Sequence, residues 1–97
     1  MKKIFKYQIP VKDIQTVEMP KGAAVLCVQE QGGVGCIWDE VDPQAEKICR
    51  CFVTYETGHP MDDEPAWCYV GTYQLRGGTP AFHVYTDGIE YPKVHNS

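Results

Sequence analysis

The 97 residues carry 9 lysines and arginines against 13 aspartates and glutamates, a formal net charge of −4, and 43% of the chain is hydrophobic. That share excludes a disordered chain, and the length fits one domain with one modest core, since a chain of this size buries roughly 60–70% of its unfolded surface. The acidic balance excludes the broad basic footprint that long nucleic acid needs, but not a small anionic ligand, which one or two arginines suffice to hold.

Residues 2–9, KKIFKYQI, put Lys3, Phe5, Tyr7 and Ile9 on one side and Ile4, Lys6 and Gln8 on the other, the alternation of a half-buried strand. Pro10 stops it, because proline cannot donate to a strand ladder. Residues 14–19, IQTVEM, form a second short strand, and Pro20-Lys21-Gly22 a turn. Residues 23–31 and 34–41 are apolar runs separated by Gly32-Gly33, which predicts a hairpin, because glycine takes the positive φ of tight turns. Asp42-Pro43 ends that hairpin, and residues 43–47 have room for a single helical turn with Pro43 at its first position. Residues 47–55, KICRCFVTY, alternate again, with Ile48, Arg50, Phe52 and Thr54 on one face and Cys49, Cys51, Val53 and Tyr55 on the other.

A loop from Glu56 to Ala66 follows, then WCYVGTYQL at 67–75 with Trp67, Tyr69, Gly71, Tyr73 and Leu75 sharing a face. Arg76-Gly77-Gly78-Thr79 closes a second hairpin into AFHVYT at 81–86. The tail, 87–97, carries turn residues and is expected to fray. No helical period is sustained anywhere. The expectation is an all-β protein, a small antiparallel sandwich or open barrel of six to seven strands with at most one helical turn, in a single domain over 1–97 whose core spans about 3–86.

Met1-Lys2-Lys3 starts like the basic end of a signal peptide, but Lys6 and Gln8 break any apolar run. No stretch approaches the ~18 apolar residues of a membrane span, so no membrane partner and a cytoplasmic location are expected. Five cysteines, an odd count with no secretory signal, point to free thiols in a reducing compartment.

Four kinds of chemistry compete for the remaining residues. Cys49-x-Cys51 sets two thiols on one strand face, roughly 7 Å apart at ~3.3 Å per residue, but structural zinc needs a second matching pair. His59 with Asp62, Asp63 and Glu64 has the oxygen donors for a hard cation without EF-hand spacing, and an acidic loop run is equally a solvated one. No metal and no cofactor is therefore expected. For catalysis, the only serine is Ser97 and no nucleophile motif occurs. Pairing Cys68 with His83 fails on register, since a hairpin closing at 77–78 sets His83 beside Gly71–Gln74. An enzyme is the less favoured reading, and no catalytic residue is assigned.

Ligand recognition fits best. Thr57-Gly58-His59 has the makeup of a shaped loop: a hydroxyl, a close-approach glycine, and a ring that donates, accepts or stacks. Gly71-Thr72 interrupts a strand where a bulge, a ligand or another backbone comes near. Trp38, Trp67, Tyr69 and Tyr73 supply flat faces. Arg50 and Arg76, the only arginines, are the candidates for a phosphate or carboxylate fork. Each residue taken singly also fits a plain structural role: Gly58 in a turn, Gly71 in a bulge, the aromatics in the core. Large apolar residues on both faces of WCYVGTY further suggest a homo-oligomer.

Four segments carry a resemblance: IFKYQI, then MPKGAAVLCVQEQGG, then TGHP with YVGTYQ, and GGTPAFHVY. Over roughly residues 3–86 the chain resembles a widespread family of small, uncharacterised phage and prophage proteins of about this length. The resemblance implies a bacterial host cytosol and a role against the host. Some small phage proteins are oligomeric β-rich sponges that bind cyclic nucleotide signals of host defence. A similar role here implies a nucleotide ligand held by the aromatics, the TGHP loop and the two arginines. The alternative of a different class is a protein-interaction module that inhibits a host enzyme through Asp62-Asp63-Glu64; a metalloprotein or enzyme is the third.

Overall fold

The computed structural model describes residues 1–61, 67–75 and 80–93. Seven strands form at the segments expected: β1 (Lys3–Gln8), β2 (Ile14–Pro20), β3 (Ala24–Gln31), β4 (Val34–Val41), β5 (Lys47–Glu56), β6 (Cys68–Gln74) and β7 (Ala81–Pro92). They form two antiparallel sheets, one in the order β1-β4-β3 and one in the order β2-β5-β7-β6. The two layers pack as a sandwich and do not close into a barrel. No helix occurs among the described residues. At 43–47 the Asp42 carboxylate accepts the Gln44 N–H (3.0 Å) and its carbonyl the Ala45 N–H (3.0 Å), so the segment is a side-chain-held turn and not the helical turn expected. No helix of the described chain is long and apolar enough to cross a membrane.

Gly32 and Gly33 turn the β3–β4 hairpin with φ of +64° and +87°, the pair of positive values that matches strand twist in a two-residue turn. The inward faces meet in a core of Ile9, Met19, Ile37, Val41, Phe52 and Val84, each 1% exposed or less. Burial of a side chain the size of Phe52 contributes about 1.5–3 kcal/mol. Two glycines let the layers close. A Cβ on Gly35 would lie 2.5 Å from Tyr73 Cζ, whose ring stacks on Phe82 at 5.4 Å, and a Cβ on Gly71 would lie 2.7 Å from Val28 Cγ1. Gly71 thus faces the other sheet, and its close neighbour is Val28 of β3.

The strands carry three irregularities, and the first two correct the sequence reading. Between Tyr69 and Gly71 the β6–β7 register shifts at a bulge. This reverses the alternation, so Tyr69 and Tyr73 lie on opposite faces and not together: Tyr69 is 59% exposed, Tyr73 4%. A second shift, opposite Arg50–Phe52, accommodates Asp87-Gly88-Ile89 in β7. Thr86 Oγ1 donates to the Cys51 carbonyl (2.8 Å) and accepts the Gly88 N–H (3.3 Å), while Asp87 Oδ1 accepts the Ile89 N–H (3.0 Å). Held there, the strand runs on to Pro92, beyond the end expected at Thr86, and Glu90, Tyr91 and Pro92 pair with β5 where fraying was expected. A third shift lies between Val25 and Cys27 of β3.

Arg50 is buried, 8% exposed, between the layers. Its Nη1 donates to the Ala23 carbonyl (3.3 Å), and Glu90, its neighbour across β7, accepts the Gly22 N–H (2.6 Å). Together they hold the connection by which the chain passes from β2 in one sheet to β3 in the other. Asp39, on β4 of the facing sheet, is fully buried, and among the described residues neither carboxylate oxygen meets a hydrogen-bond partner. Burial pushes its carboxyl up to about 6, and Arg50 draws it back in part.

Candidate functional site

The outer face of the four-stranded sheet is laid out by its registers. Tyr69, Tyr85, Val53 and Ile14 form one row across β6, β7, β5 and β2, and Thr72, His83 and Tyr55 form the next. Tyr69 and Thr72 are three residues apart, an odd spacing that puts both on one face only because the bulge lies between them. The rings of Tyr55, Tyr85 and Tyr69 meet edge to face, with centroids 5.8 and 5.5 Å apart along the series.

A hydrogen-bond chain crosses this face. Tyr69 Oη meets Thr72 Oγ1, Thr72 Oγ1 lies 2.9 Å from His83 Nδ1, and His83 Nε2 lies 2.8 Å from Thr57 Oγ1. Thr57 Oγ1 also lies 3.4 Å from the Ala81 carbonyl. Each ring nitrogen of His83 thus meets a threonine hydroxyl, and the bond directions follow the tautomer: with the proton on Nε2, Nδ1 accepts from Thr72, and with the proton on Nδ1, Nε2 accepts from Thr57.

Two cavities flank the end of β5. One of about 290 Å³ is lined by Thr57, Gly58, Met61, His83 and Tyr85 among others. A second, of about 490 Å³, runs past Asp13, Ile14, Tyr55, Pro60 and Trp67. Tyr55, Glu56 and His59 border both. His59 N–H closes the turn on the Glu56 carbonyl (3.0 Å), its ring Nε2 lies 3.5 Å from Glu56 Oε1, and Gly58 sits between with φ +90°.

The structure thus gathers Thr57, Gly58, His59, Tyr69 and Thr72 on one face. It does not bring the other candidates there. Arg50 is locked between the sheets because it shares the strand face of Phe52, which is the core face. Trp38 lies half-buried on the outer side of the other sheet, between Lys6 and Cys27. Gly71 points inward. Arg76 and the acidic run Asp62-Asp63-Glu64 lie outside the described residues.

His83, which joins the chain, was not among the expected ligand-binding residues. Its register was readable, since hairpin closure set it beside Gly71–Gln74, and it pairs with Thr72. The five cysteines are free thiols, and burial together with Asp87 pushes the Cys51 thiol up. Among the described residues no group of three or more histidine, cysteine or acidic side chains is placed to hold a metal.

A family model described as a domain of unknown function, DUF7352, matches residues 1–93, and the chain belongs to that family. No curated protein matches it. No solved structure matches it either.

Proposed function

We propose that this DUF7352 domain is a non-enzymatic small-ligand-binding protein whose ligand lies on the outer face of the four-stranded sheet. One observation carries the reading: a solvent-facing imidazole, His83, fixed on both ring nitrogens by threonine hydroxyls beside a ledge of three tyrosine rings. A surface histidine ordinarily turns freely in water. Here its orientation is set in advance, which lowers the ordering cost of binding. The ring ledge offers flat faces for stacking and the hydroxyl–imidazole chain offers hydrogen-bonding groups beside it, so the face suits a planar ligand with polar edges, and a purine base with an exocyclic amino group is of that class. In the phage setting implied by the sequence resemblance, a protein with this face would sequester a nucleotide signal of the host.

The phosphate part of that expectation has less support than the base. Arg50 is buried between the sheets, and no lysine or arginine among the described residues lines either cavity. Isothermal titration with adenosine, guanosine and their cyclic phosphates tests the reading. Nucleosides are expected to bind nearly as well as their phosphates, and Thr72→Val and His83→Phe to weaken both about tenfold or more. Unchanged affinity in both variants would overturn the role of the chain.

A second reading, self-association over the same face, is favoured by Ile14 and Tyr69, 60% and 59% exposed in one row. Light scattering checks it: an oligomer is expected to dissociate on Ile14→Lys, and a wild-type monomer removes the reading.

A further inference from the structure

We infer that the groove of about 490 Å³ beside β2 and β5, which adjoins the proposed ligand face at Tyr55, is a second binding site, for a small organic cation bearing a guanidinium or alkylammonium head. Its walls combine two aromatic rings, Tyr55 and Trp67, with the apolar side chains of Ile14 and Val53, and its formal charges come from two carboxylates, Asp13 and Glu56. No lysine or arginine among the described residues lines it. A cation over an aromatic face gains from the ring's electron-rich centre, and more so where the wall is apolar and water is thinned. Nearby carboxylates add charge-assisted hydrogen bonds for the N–H groups of the head. An anion meets the reverse on each count. The volume is that of a small-molecule site.

Glu56 is positioned for this role. It ends β5 beside Tyr55, and the turn that follows is closed by the His59 N–H on its carbonyl at 3.0 Å. Asp13 is held across the groove, because its carbonyl accepts the Thr54 N–H at 3.0 Å and so ties the start of β2 to β5. Glu56 is thus part of β5, and Asp13 is tied to the same strand by a backbone hydrogen bond. His59, 3.5 Å from Glu56 Oε1, is the third titratable group at the groove.

The test compares two probes of one shape, butylguanidinium and the neutral butylurea, titrated into the full chain at fixed ionic strength and followed by amide and indole NMR shifts. Butylguanidinium is expected to bind saturably, with shifts at the Trp67 indole and the Val53–Glu56 amides, and about tenfold or more tighter than butylurea. The double variant Asp13→Asn, Glu56→Gln is expected to lose that difference while keeping a dispersed spectrum. Thr72→Val separates this site from the face proposed above: it weakens nucleosides and leaves butylguanidinium alone. Equal affinity for the two probes, no saturable shift at Trp67, or a double variant that binds like wild type would each overturn the inference.

Discussion

On the three-stranded sheet, Trp38 lies half-buried between Lys6 and Cys27, and Lys6 Nζ reaches over the sheet to Gln31 Oε1. On the four-stranded sheet the corresponding middle positions belong to Tyr85 and His83, flanked by Tyr69, Thr72 and Tyr55. Both outer faces meet water, as antiparallel sheets permit. The first is covered by long flexible side chains that must lose rotamer freedom to order anything against them. The second is built from rings with two rotatable angles and from short hydroxyls already tied to a histidine. The same fold therefore has one face lined by long side chains and one whose rings and hydroxyls are ordered against each other, and the proposed ligand site uses the second.

The largest effect comes from breaking what the two faces share. Phe52→Ala is expected to cost about 3–5 kcal/mol in denaturant unfolding, because the side chain is fully buried and leaves a cavity between the sheets. A loss below 1 kcal/mol would show that the layers do not depend on one core. Next is the charge placed between the layers. Asp39 titrates at about 6 when folded, above its ordinary 3.8, so the folded state holds the proton more tightly than the unfolded state does. Stability is then full below about pH 4 and falls as pH rises through about 6, by a total of about 3 kcal/mol. Asp39→Asn is expected to flatten that slope, and Arg50→Met to raise the carboxyl further, since Arg50 is what draws it down. Urea unfolding at pH 4 and pH 7 reads both; equal wild-type stability at the two values would place Asp39 in a wetter setting.

Much of the fold was legible in the residues, and what was missed has two physical sources. Local alternation and apolar runs bounded by turn residues found the strands, and Gly32-Gly33 found its turn, because period and turn chemistry are written in neighbouring residues. Bulges are not. One extra residue between Tyr69 and Gly71 inverts every face after it, and Asp87-Gly88, which reads as a stop, is a kink inside β7. Burial also depends on the other sheet. Arg50 was seen to share a face with Phe52, yet its cationic head suggested a ligand; its partners, the Ala23 carbonyl and the Asp39 charge, come from elements remote in sequence. The site was legible in the same measure. Thr57 was singled out in a shaped loop and Thr72 beside a glycine inside a strand, but the imidazole between them follows only from the pairing of β5, β7 and β6.

Gly71→Ala tests the close approach of the two layers at their edge. The new methyl would meet Val28 Cγ1 at 2.7 Å, and a stiff β-branched side chain gives way poorly, so a cost of about 1–3 kcal/mol is expected. Adding Val28→Ala should recover part of it, and simple additivity in the double variant would rule out the contact.

The outer faces give the smallest stability effects and the sharpest contrast. His83→Phe and Lys6→Ala are each expected to change unfolding free energy by no more than about 0.5–1 kcal/mol, as both sit on solvent-facing sheet surfaces. Binding should divide them. If preorganisation is what distinguishes the two faces, His83→Phe removes nucleoside affinity and Lys6→Ala leaves it intact, although the lysine is the longer and more strongly charged side chain. If Lys6→Ala were the more damaging change, long-range charge would govern the protein's ligand choice, and the ordered hydroxyl–imidazole chain would be a structural brace for the β5–β7–β6 edge.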